Sequence, residues 1–577
     1  MGIIFGGSSF GIVEGDSIRL FMYDTEFCEV YTQVKGDVVF RRIRKLKGNK
    51  YLEKIIVANP NKHPVDFEVI VNVTSKFRDV FEVRRIATPV NREISRNKFG
   101  FEYRGRDGVV RKVIVLTEGL SGSLPPYSWR TAKVKITLQA SVPVIHDPSF
   151  PQIRASGLYG LLKKALEHLR ALSVEITGNK TLFAGIPDFF CVFGRDSIIS
   201  SLFLLPYDPK YAKGTLFVLA KLQGEKFDPK RLEEPGKIPH EYRLGELSLS
   251  GNYPFSPYYG SIDATPLYLI LAGEYYRWTK DQETIKKLRE NLFSAYEWLI
   301  KKLEEGNGFL VYTYANPYVP MNQGWKDSRE GVPDEDGLPT KPPVALVEVQ
   351  GYAYKALLSL AEISEIINPD ENYLIQLSRE LKKKFNREFK GKKGYKLALN
   401  SDVLASNQGH LLFSGIVEDQ EKVIEALFSS ELLTRWGIRT LSEKEKAYNP
   451  FSYHNGSIWP HDNAIIALGL SKVGELEKAE DVALRVLRAF LRLNSLPELY
   501  AGVDAPEPFI IPRANEPQAW SASSIFAFIT ASLGITPKGV SRENTKLPNL
   551  SIYPVIINGK KHKLAIKNGE IKISRIS

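Results

Sequence analysis

The first 150 residues show an alternation of apolar and polar positions that is typical of β-strands. Short segments rich in Val, Ile and Thr are separated by Asn-Pro, Gly and Pro turns. The clearest segments are 54–58 (KIIVA), 66–73 (DFEVIVNV), 109–116 (VVRKVIVL) and 132–139 (AKVKITLQ). Because such strands bury one face and expose the other, residues 1–150 are predicted to form an antiparallel β-sandwich.

From about Gly157 the apolar period changes to about 3.6 residues, the repeat of an α-helix. Residues 151–545 are predicted to form about twelve helices. Residues 546–577 return to β-structure, with hairpin turns predicted at Asn558-Gly559 and Asn568-Gly569. The predicted helices begin near residues 157, 194, 209, 263, 281, 344, 371, 404, 418, 457, 476 and 517.

The connections between these helices alternate between short and long. The long ones are 175–193, 224–262, 306–343, 389–403, 430–456 and 495–516. Since antiparallel neighbours put successive connections at opposite ends of a bundle, this alternation puts every long loop at one end. Long loops in a compact domain usually carry function. The predicted architecture is an (α/α)6 toroid with a loop-built cleft at one end.

Composition and charge narrow the class of protein. Of 577 residues, 43% are hydrophobic and 25% are charged, as in ordinary globular proteins. The net charge is +12, but basic and acidic residues are mixed along the chain, so no nucleic-acid partner is predicted. We see no secretory signal and no apolar run long enough for a membrane span. Two cysteines, Cys28 and Cys191, fit a reducing cytoplasm, and mixed charge with few cysteines and methionines is typical of thermophilic proteins.

The first two long loops carry groups suited to sugar hydroxyls. The first ends in CVFGRDSIIS, where Arg195 and Asp196 can donate and accept hydrogen bonds together; the alternative is that Asp196 caps its helix and Arg195 pairs locally. Asp263 is either a sugar ligand or a helix N-cap. The second loop contributes His240, Glu241, Arg243, Tyr258, Tyr259 and Asp263, whose aromatic members can stack on sugar faces.

The third long loop contains NQGWKDSRE, with Gln323, Trp325, Lys326 and Asp327. A tryptophan near a carboxyl group makes its surroundings less polar, which raises the pKa and keeps a proton available near neutral pH. Lys326 opposes that shift if its side chain points at Asp327. Asp327 is therefore the predicted general acid.

The fifth long loop contains YHNGSIWPHDNAI, whose polar and aromatic groups are predicted to contact substrate hydroxyls. A metal site is not predicted, because no helical His pair at i, i+4 and no cysteine accompanies the two histidines. No phosphate-binding glycine motif occurs, so the sequence does not favour a nucleotide-binding protein. The candidates in this loop are His454, Asn455, Trp459, His461 and Asp462.

The sixth long loop supplies three candidate carboxylates, Glu498, Glu507 and Glu516. Glu516 immediately precedes Pro517, which suits the N-terminus of a helix. Glu498 follows an apolar Leu-Pro pair and has no such structural explanation. Glu498 is therefore the predicted general base, because two carboxyl groups from different loops are what glycoside hydrolysis requires.

In this order, FGRDS, GKIPHE, YYGSIDATPL, NQGWKDS, ALVEVQGYAY, SNQGHLLFSGI, GSIWPHDNAIIALGL and PQAWS resemble the amylo-α-1,6-glucosidase part of glycogen-debranching enzymes. YDTEF and KFRDVFEVR resemble the β-sandwich that precedes this part in prokaryotic members. The resemblance implies inverting, exo-acting hydrolysis without a cofactor, with Asp327 as acid and Glu498 as base. Bifunctional members also carry a glucanotransferase domain, for which we expect no room here. The same motifs imply further substrate-binding residues: Phe193, Glu348, Gln350, His410, Gln518 and Trp520.

The predicted function is hydrolysis of terminal α-1,6-linked glucose with inversion, on an oligosaccharide or a glycogen-type glucan. One alternative keeps the chemistry and changes the substrate to a small α-glucoside, trehalose-like or glucosylglycerate-like. Another is a non-catalytic carbohydrate-binding protein on the same fold, which needs the aromatic residues but not both carboxylates.

Overall fold

The computed structural model describes residues 2–6, 9–147, 149–314 and 320–575. Parts of the predicted regions lie outside these ranges, among them residue 1, where the predicted β-sandwich begins, residue 577, where the predicted C-terminal β-region ends, and residues 315–319 of the third long loop.

The N-terminal region is made of β-strands, with one short helix, α1 (Val80–Val83), after β8. All four segments predicted from the alternating pattern are strands, so that prediction is confirmed. The strands are β1 (Gly2–Gly6), β2 (Ser9–Glu14), β3 (Ser17–Met22), β4 (Thr25–Lys35), β5 (Val39–Lys47), β6 (Lys50–Ala58), β7 (Val65–Thr74), β8 (Arg78–Asp79), β9 (Ser95–Asn97), β10 (Gly100–Arg104), β11 (Val110–Glu118), β12 (Ser121–Leu124), β13 (Trp129–Ala140), β14 (Val144–His146) and β15 (Arg154–Gly157).

Most of these strands belong to two antiparallel sheets. One has the order β1-β2-β3-β4-β7-β12, with β8 pairing β4, and the other has the order β5-β6-β13-β11-β10-β9. Side chains from both sheets pack together in one apolar cluster. Its members are Ile55, Val57, Phe67, Val69, Leu124 and Ala132.

The helical region begins with a 3₁₀ turn, Leu158–Gly160, and nearly all of the predicted helices start within three residues of their predicted positions. Two short helices, Glu246–Leu249 and Ser364–Ile367, were not predicted. Two further differences stand out. The helix expected near 281 is divided at Leu288, and the one expected near 404 starts as a 3₁₀ turn, Ser406–Gly409. The helices are α2 (Leu161–Leu172), α3 (Gly194–Leu204), α4 (Lys210–Lys221), α5 (Glu246–Leu249), α6 (Ala264–Thr279), α7 (Gln282–Lys287), α8 (Arg289–Glu305), α9 (Val347–Glu362), α10 (Ser364–Ile367), α11 (Glu371–Glu388), α12 (His410–Ser414), α13 (Gln420–Leu427), α14 (Pro460–Lys472), α15 (Leu476–Leu493) and α16 (Ala519–Leu533).

Within the described part of the chain, α3, α6, α9, α12, α14 and α16 contact one another in that order, and α16 contacts α3 again. These helices are buried on nearly all sides; every residue of α16 is buried. In contrast, α2, α4, α8, α11 and α15 each contact members of this cycle and also expose a polar face. The apolar pattern explains the difference, because a helix that is apolar all round must be covered by others.

Short antiparallel strand pairings fix several of the connections. Of these, β18 and β19 matter for the site, because Val192–Phe193 pairs with Glu241–Tyr242 and joins the first long loop to the second. The short strands are β16 (Ser173–Ile176), β17 (Asn179–Leu182), β18 (Val192–Phe193), β19 (Glu241–Tyr242), β20 (Lys390–Gly391), β21 (Gly394–Tyr395), β22 (Leu433–Thr434), β23 (Gly437–Ile438), β24 (Ile535–Thr536) and β25 (Gly539–Val540).

The C-terminal strands form an antiparallel sheet with β15, which precedes the first helix of the helical region. They are β26 (Leu550–Ile557), β27 (Lys560–Lys567) and β28 (Glu570–Arg575), in the sheet order β15-β26-β27-β28. Asn558-Gly559 and Asn568-Gly569 connect them with positive φ at both positions, as a type I′ hairpin turn requires. Both predicted turns are confirmed.

Both cysteines, Cys28 and Cys191, are buried and free. None of the described helices combines the length and apolarity needed to cross a membrane.

Candidate active site

A cavity of about 830 Å³ is surrounded by the long loops and by part of the N-terminal region. Among the described residues, five of the six long loops contribute side chains to the cavity lining, and the loop 389–403 does not. The predicted site residues that line it are Phe193, Arg195, Asp196, His240, Glu241, Trp325, Asp327, His454, Trp459, Glu498 and Trp520.

Asp327 enters the cavity from the third long loop, and its side chain is 27% exposed. Its Oδ2 lies 3.4 Å from Nη2 of Arg195 and 3.6 Å from Nε2 of His240. Burial raises the pKa of Asp327 to about 6; Arg195 opposes this shift, and the charges of Glu241 and Asp263 add to it. A substantial fraction of this carboxyl group is therefore protonated near pH 6.

Glu498 enters the same cavity from the sixth long loop and is only 1% exposed. Tyr453 donates its hydroxyl to Oε1 at 2.8 Å, and Asn515 donates both its backbone N–H (3.0 Å) and its side-chain amide (2.9 Å) to Oε2. Burial raises the pKa of Glu498 to about 7, while these three donors oppose the shift. Because all three of these hydrogen bonds are donated to the carboxyl oxygens, they favour the carboxylate form of Glu498.

Lys326 does not oppose the pKa shift of Asp327 by pairing with it. Its ammonium group donates to the carbonyl oxygen of Thr440 at 2.7 Å and lies over the ring of Trp325, 5.2 Å from its centroid. Burial lowers the pKa of Lys326 to about 8. Lys326 therefore supports Trp325 from behind the cavity wall.

Asp263 holds Arg195 in place rather than capping a helix. Nη1 of Arg195 lies 2.9 Å from each carboxylate oxygen of Asp263, and Ser261 donates its hydroxyl to Asp263 at 2.5 Å. Asp263 occupies the N-cap position of α6 but makes no side-chain capping bond. Among the described residues, Nε of Arg195 has no hydrogen-bond partner. Arg195 is therefore held by Asp263 through Nη1, while its Nη2 lies beside Asp327 at the cavity.

Asp196 lies close enough to both candidate catalytic carboxyls for their charges to affect it. Burial raises its pKa well above the usual value, and the charges of Glu498 and Asp327 add to that shift. Gln518 donates its amide to Oδ2 of Asp196 at 3.1 Å. A protonated Asp196 can both donate to and accept from sugar hydroxyls.

His240 and Glu241 stand between the cavity and the N-terminal region. Burial, together with Arg195 and Arg243, lowers the pKa of His240 well below its usual value, so the imidazole beside Asp327 is neutral. Glu241 accepts from Nε of Arg243 at 2.5 Å, and Nη1 of Arg243 donates to Asp24 at 2.8 Å. Asp24 belongs to the turn between β3 and β4, so this ion-pair chain crosses from one region to the other.

Aromatic rings form much of the wall. Trp325 makes edge contacts with Trp459 at 5.6 Å between centroids and with His461 at 5.0 Å. His461 stacks on Trp520 at 3.7 Å, and His454 stacks on Trp459 at 5.3 Å. Within the described residues no group of three or more His, Cys, Asp or Glu side chains is arranged to hold a metal ion. The two histidines pack against tryptophans instead.

Several predicted substrate-binding residues lie behind this wall or away from the cavity. His410 connects the hydroxyl of Tyr352 (2.6 Å) to Asp462 (2.8 Å), and Glu348 is buried nearby with its pKa raised by burial. Other predicted residues hold loops by donating to backbone carbonyl oxygens. These are Tyr259 to Leu222 (2.8 Å), Gln323 to Thr313 (3.3 Å), Gln350 to Leu310 (2.9 Å) and Asn455 to Glu330 (2.5 Å).

The other two carboxylates of the sixth loop do not line the cavity within the described residues. Glu516 accepts from the hydroxyl of Ser495 and from the backbone N–H of Leu496 at 2.9 Å, and it precedes α16 without forming part of it. Glu507 lies at the surface, 3.5 Å from Arg492. Glu516 therefore fixes the segment that leads to Glu498.

Sequence reasoning missed several residues of the site. Tyr453 and Asn515 contact Glu498 directly, and their positions in the fifth and sixth long loops were the available signal. No local signal pointed to Phe81, Arg84 and Ile86, because they come from the N-terminal region.

The helical cycle and the carboxylate-lined cavity fit the class to which the comparisons assign this chain, the glycoside hydrolases. A family model described as amylo-alpha-1,6-glucosidase matches residues 170–527, and one described as the N-terminal domain of (some) glycogen debranching enzymes matches residues 22–144. The chain belongs to this amylo-α-1,6-glucosidase family.

A solved structure at low sequence identity has a similar fold. The GH63 mannosylglycerate hydrolase from Thermus thermophilus, in complex with Tris and D-glycerate, has a TM-score of 0.51 and 16% identity over 64% of this chain and 100% of that chain. The same hydrolase in complex with glucose has a TM-score of 0.49 and 15% identity, over 64% and 99%. Comparison with the curated proteins found no match.

Proposed function

We propose that this protein is an inverting, exo-acting α-glucosidase that removes terminal α-1,6-linked glucose from an oligosaccharide or a glycogen-type glucan in the cytoplasm. One observation carries the proposal: Asp327 and Glu498 come from different loops, enter one cavity and have different hydrogen-bond surroundings. The family match over 170–527 supports the substrate class.

Asp327 gives its proton to the glycosidic oxygen as the bond to the anomeric carbon breaks. Glu498 takes a proton from a water molecule, whose oxygen attacks the anomeric carbon from the opposite face. The donors on Glu498 favour its carboxylate form, and Asp327 has neutral His240 beside it. Although Glu498 has the higher pKa, these contacts decide the assignment, because acid and base roles depend on which form each site stabilises.

The terminal glucose lies in the inner part of the cavity, between the aromatic wall and α3. Arg195 and Asp196, at the start of α3, hold its hydroxyl groups. Trp520 and Trp459 present apolar ring surface to the C–H faces of the sugar. Glucose bound between these groups, with its glycosidic oxygen at Asp327, is the end of a chain, which is the basis of the proposed exo action.

The contact cycle of α3, α6, α9, α12, α14 and α16, with further helices outside it, supports an (α/α)6 toroid. The long connections that line the cavity belong to one end of that toroid. The N-terminal sheets then stand beside the same end, since Asp24 reaches Glu241 through Arg243.

Glucose release tests the proposal directly. The purified protein is incubated with isomaltose, panose, maltose, trehalose and a phosphorylase limit dextrin, and the first-formed anomer is followed by proton NMR. We expect the highest kcat/KM on α-1,6-linked substrates and β-glucose as the first product. Initial α-glucose means retention and contradicts the proposed mechanism; no release from any substrate supports the non-catalytic alternative.

A small, negatively charged α-glucoside is the second candidate substrate. Arg84, Arg329 and Arg513 line the cavity, and among the described residues Arg329 and Arg513 have no ion-pair partner. An anionic leaving group such as glycerate would pair with the positive charge of these arginines. Glucosylglycerate in the same screen decides between the candidates, because a kcat/KM above that for panose would favour the small substrate.

A further inference from the structure

The N-terminal region reaches the cavity through the segment that follows β8. Phe81, Arg84 and Ile86 of this segment line the same cavity as Asp327 and Glu498. Ile86 is 53% exposed although it is a large apolar residue, and Glu498 is almost completely buried. The N-terminal segment therefore forms the open side of the cavity, and the base lies in its interior.

Hydrogen bonds at Asp79 fix where this segment begins. Asp79 caps α1 by accepting from the N–H of Phe81 at 3.0 Å, and Glu82 accepts from the N–H of Asp79 at 2.7 Å, forming a capping box. The second carboxylate oxygen of Asp79 accepts from the N–H of Leu247, in the second long loop, at 3.0 Å. The segment is thus attached to a loop that also lines the cavity.

A buried ion-pair cluster strengthens this attachment. Arg92 pairs with Glu82 at 2.6 Å and with Glu246 of the second loop at 2.8 Å, and all three side chains are almost fully buried. Tyr103 donates its hydroxyl to Glu246 at 2.5 Å. Because the groups are held by paired charges and hydrogen bonds, the segment has a defined position relative to the loop.

Arg84 is held at the cavity edge by residues of the first long loop. Its guanidinium group lies 3.5 Å from Asp188 and over the ring of Phe189, 5.6 Å from the centroid. Phe189 also lines the cavity. A guanidinium group restrained in this way loses little rotamer freedom when it binds a ligand.

We propose that Arg84 and Ile86 of the N-terminal region form a subsite for the sugar that leaves, so that both regions of the chain build one active site. The inference rests on the proposed glucosidase function. The terminal glucose occupies the interior, and the glycosidic oxygen faces Asp327. The leaving glucan chain therefore extends toward the open side, where Ile86 packs against the sugar and Arg84 donates to its hydroxyl groups.

Two substrates that differ only in the leaving group test this subsite. Panose carries a leaving sugar, whereas α-glucosyl fluoride places glucose in the interior and leaves the open side empty. We expect Arg84→Ala and Ile86→Ser each to lower kcat/KM for panose about tenfold and to leave kcat/KM for α-glucosyl fluoride within twofold. Calorimetric titration with panose should show a similar loss of affinity in an Asp327→Asn background.

Matched controls separate the subsite from a general effect on folding. Arg85 is the exposed neighbour of Arg84 and does not line the cavity, and Ile145 is another exposed isoleucine of the N-terminal region. Arg85→Ala and Ile145→Ser should leave both substrates unaffected.

The outcomes also separate this inference from the proposed linkage. Equal losses on both substrates, or no loss on either, contradict the subsite. If the wild type hydrolyses α-glucosyl fluoride but not panose, the α-1,6 proposal fails, and the same comparison is made with the best substrate of the screen. If the wild type hydrolyses neither substrate, affinity for panose becomes the test. The subsite is contradicted if the wild type does not bind panose, or if Arg84→Ala binds panose as tightly as the wild type does.

Discussion

Removal of the carboxyl group from Asp327 and from Glu498 should have different consequences. Asp327→Asn should lower kcat on panose by about 10²- to 10⁴-fold, because the leaving oxygen then receives no proton. The same variant should retain much of its activity on α-glucosyl fluoride, since fluoride leaves without general acid help. Glu498→Gln should lower kcat on both substrates, because water attack needs the base in either case.

The opposite pattern would exchange the two roles. If Glu498→Gln retained activity on α-glucosyl fluoride and Asp327→Asn lost it, Glu498 would be the acid. Near-normal turnover of panose by either variant would remove that residue from the chemistry. Affinity for panose, measured separately, distinguishes lost catalysis from lost binding.

The pH dependence of kcat/KM follows from the raised pKa values of the two carboxyls. Turnover needs Asp327 protonated and Glu498 ionised, so both the fully protonated and the fully ionised forms are inactive. With pKa values of about 6 and about 7, the profile should be a bell with its maximum near pH 6.5. The initial rate on panose at low substrate concentration measures this, and a flat profile from pH 4 to 8 would contradict it.

At the scale of elements, the three glutamates of the sixth long loop have different roles. Glu516→Ala leaves the N–H of Leu496 without its acceptor and loosens the segment before Glu498. We expect Tm to fall by a few degrees and kcat on panose to fall about tenfold, with the pH optimum unchanged. Glu507→Ala, which breaks only an exposed ion pair, is the control and should change neither quantity. A loss with Glu516→Ala as large as that with Glu498→Gln would make Glu516 a candidate base.

Elements with a strong local period were predictable, and those set by distant contacts were not. The apolar face of α2 and the alternation of buried and exposed residues in β7 follow from the sequence, because each element buries one face. The 3₁₀ turn at Ser406–Gly409 has apolar neighbours like those of a helix, yet its residues are all buried beside α9 and α14, so tertiary packing decides its form. Asp327 and Glu498 stood out as carboxyls in long loops, but Tyr453 and Arg84 become site residues only through contacts between loops and regions.

For the whole molecule, the apolar core is continuous across the two regions. One cluster of buried side chains runs from Phe10 in β2, through Phe190 in the first long loop, to Ile566 in β27. Phe10 itself contacts Phe190, with 5.8 Å between ring centroids. Such continuity favours unfolding as one cooperative unit, because unfolding of either region would expose the buried side chains that join the two.

Arg92→Met tests whether this continuity also serves the active site. The substitution leaves Glu82 and Glu246 buried without their cation, which costs about 3–5 kcal/mol when a buried pair is broken on one side. We expect a lower Tm by calorimetry and a reduced kcat/KM for panose relative to α-glucosyl fluoride, since the segment carrying Arg84 loses its attachment to the second loop. Arg435→Met, which breaks an exposed pair with Asp504, should change neither. An unchanged panose preference in Arg92→Met, despite a lower Tm, would mean that the junction stabilises the fold without positioning the cavity wall.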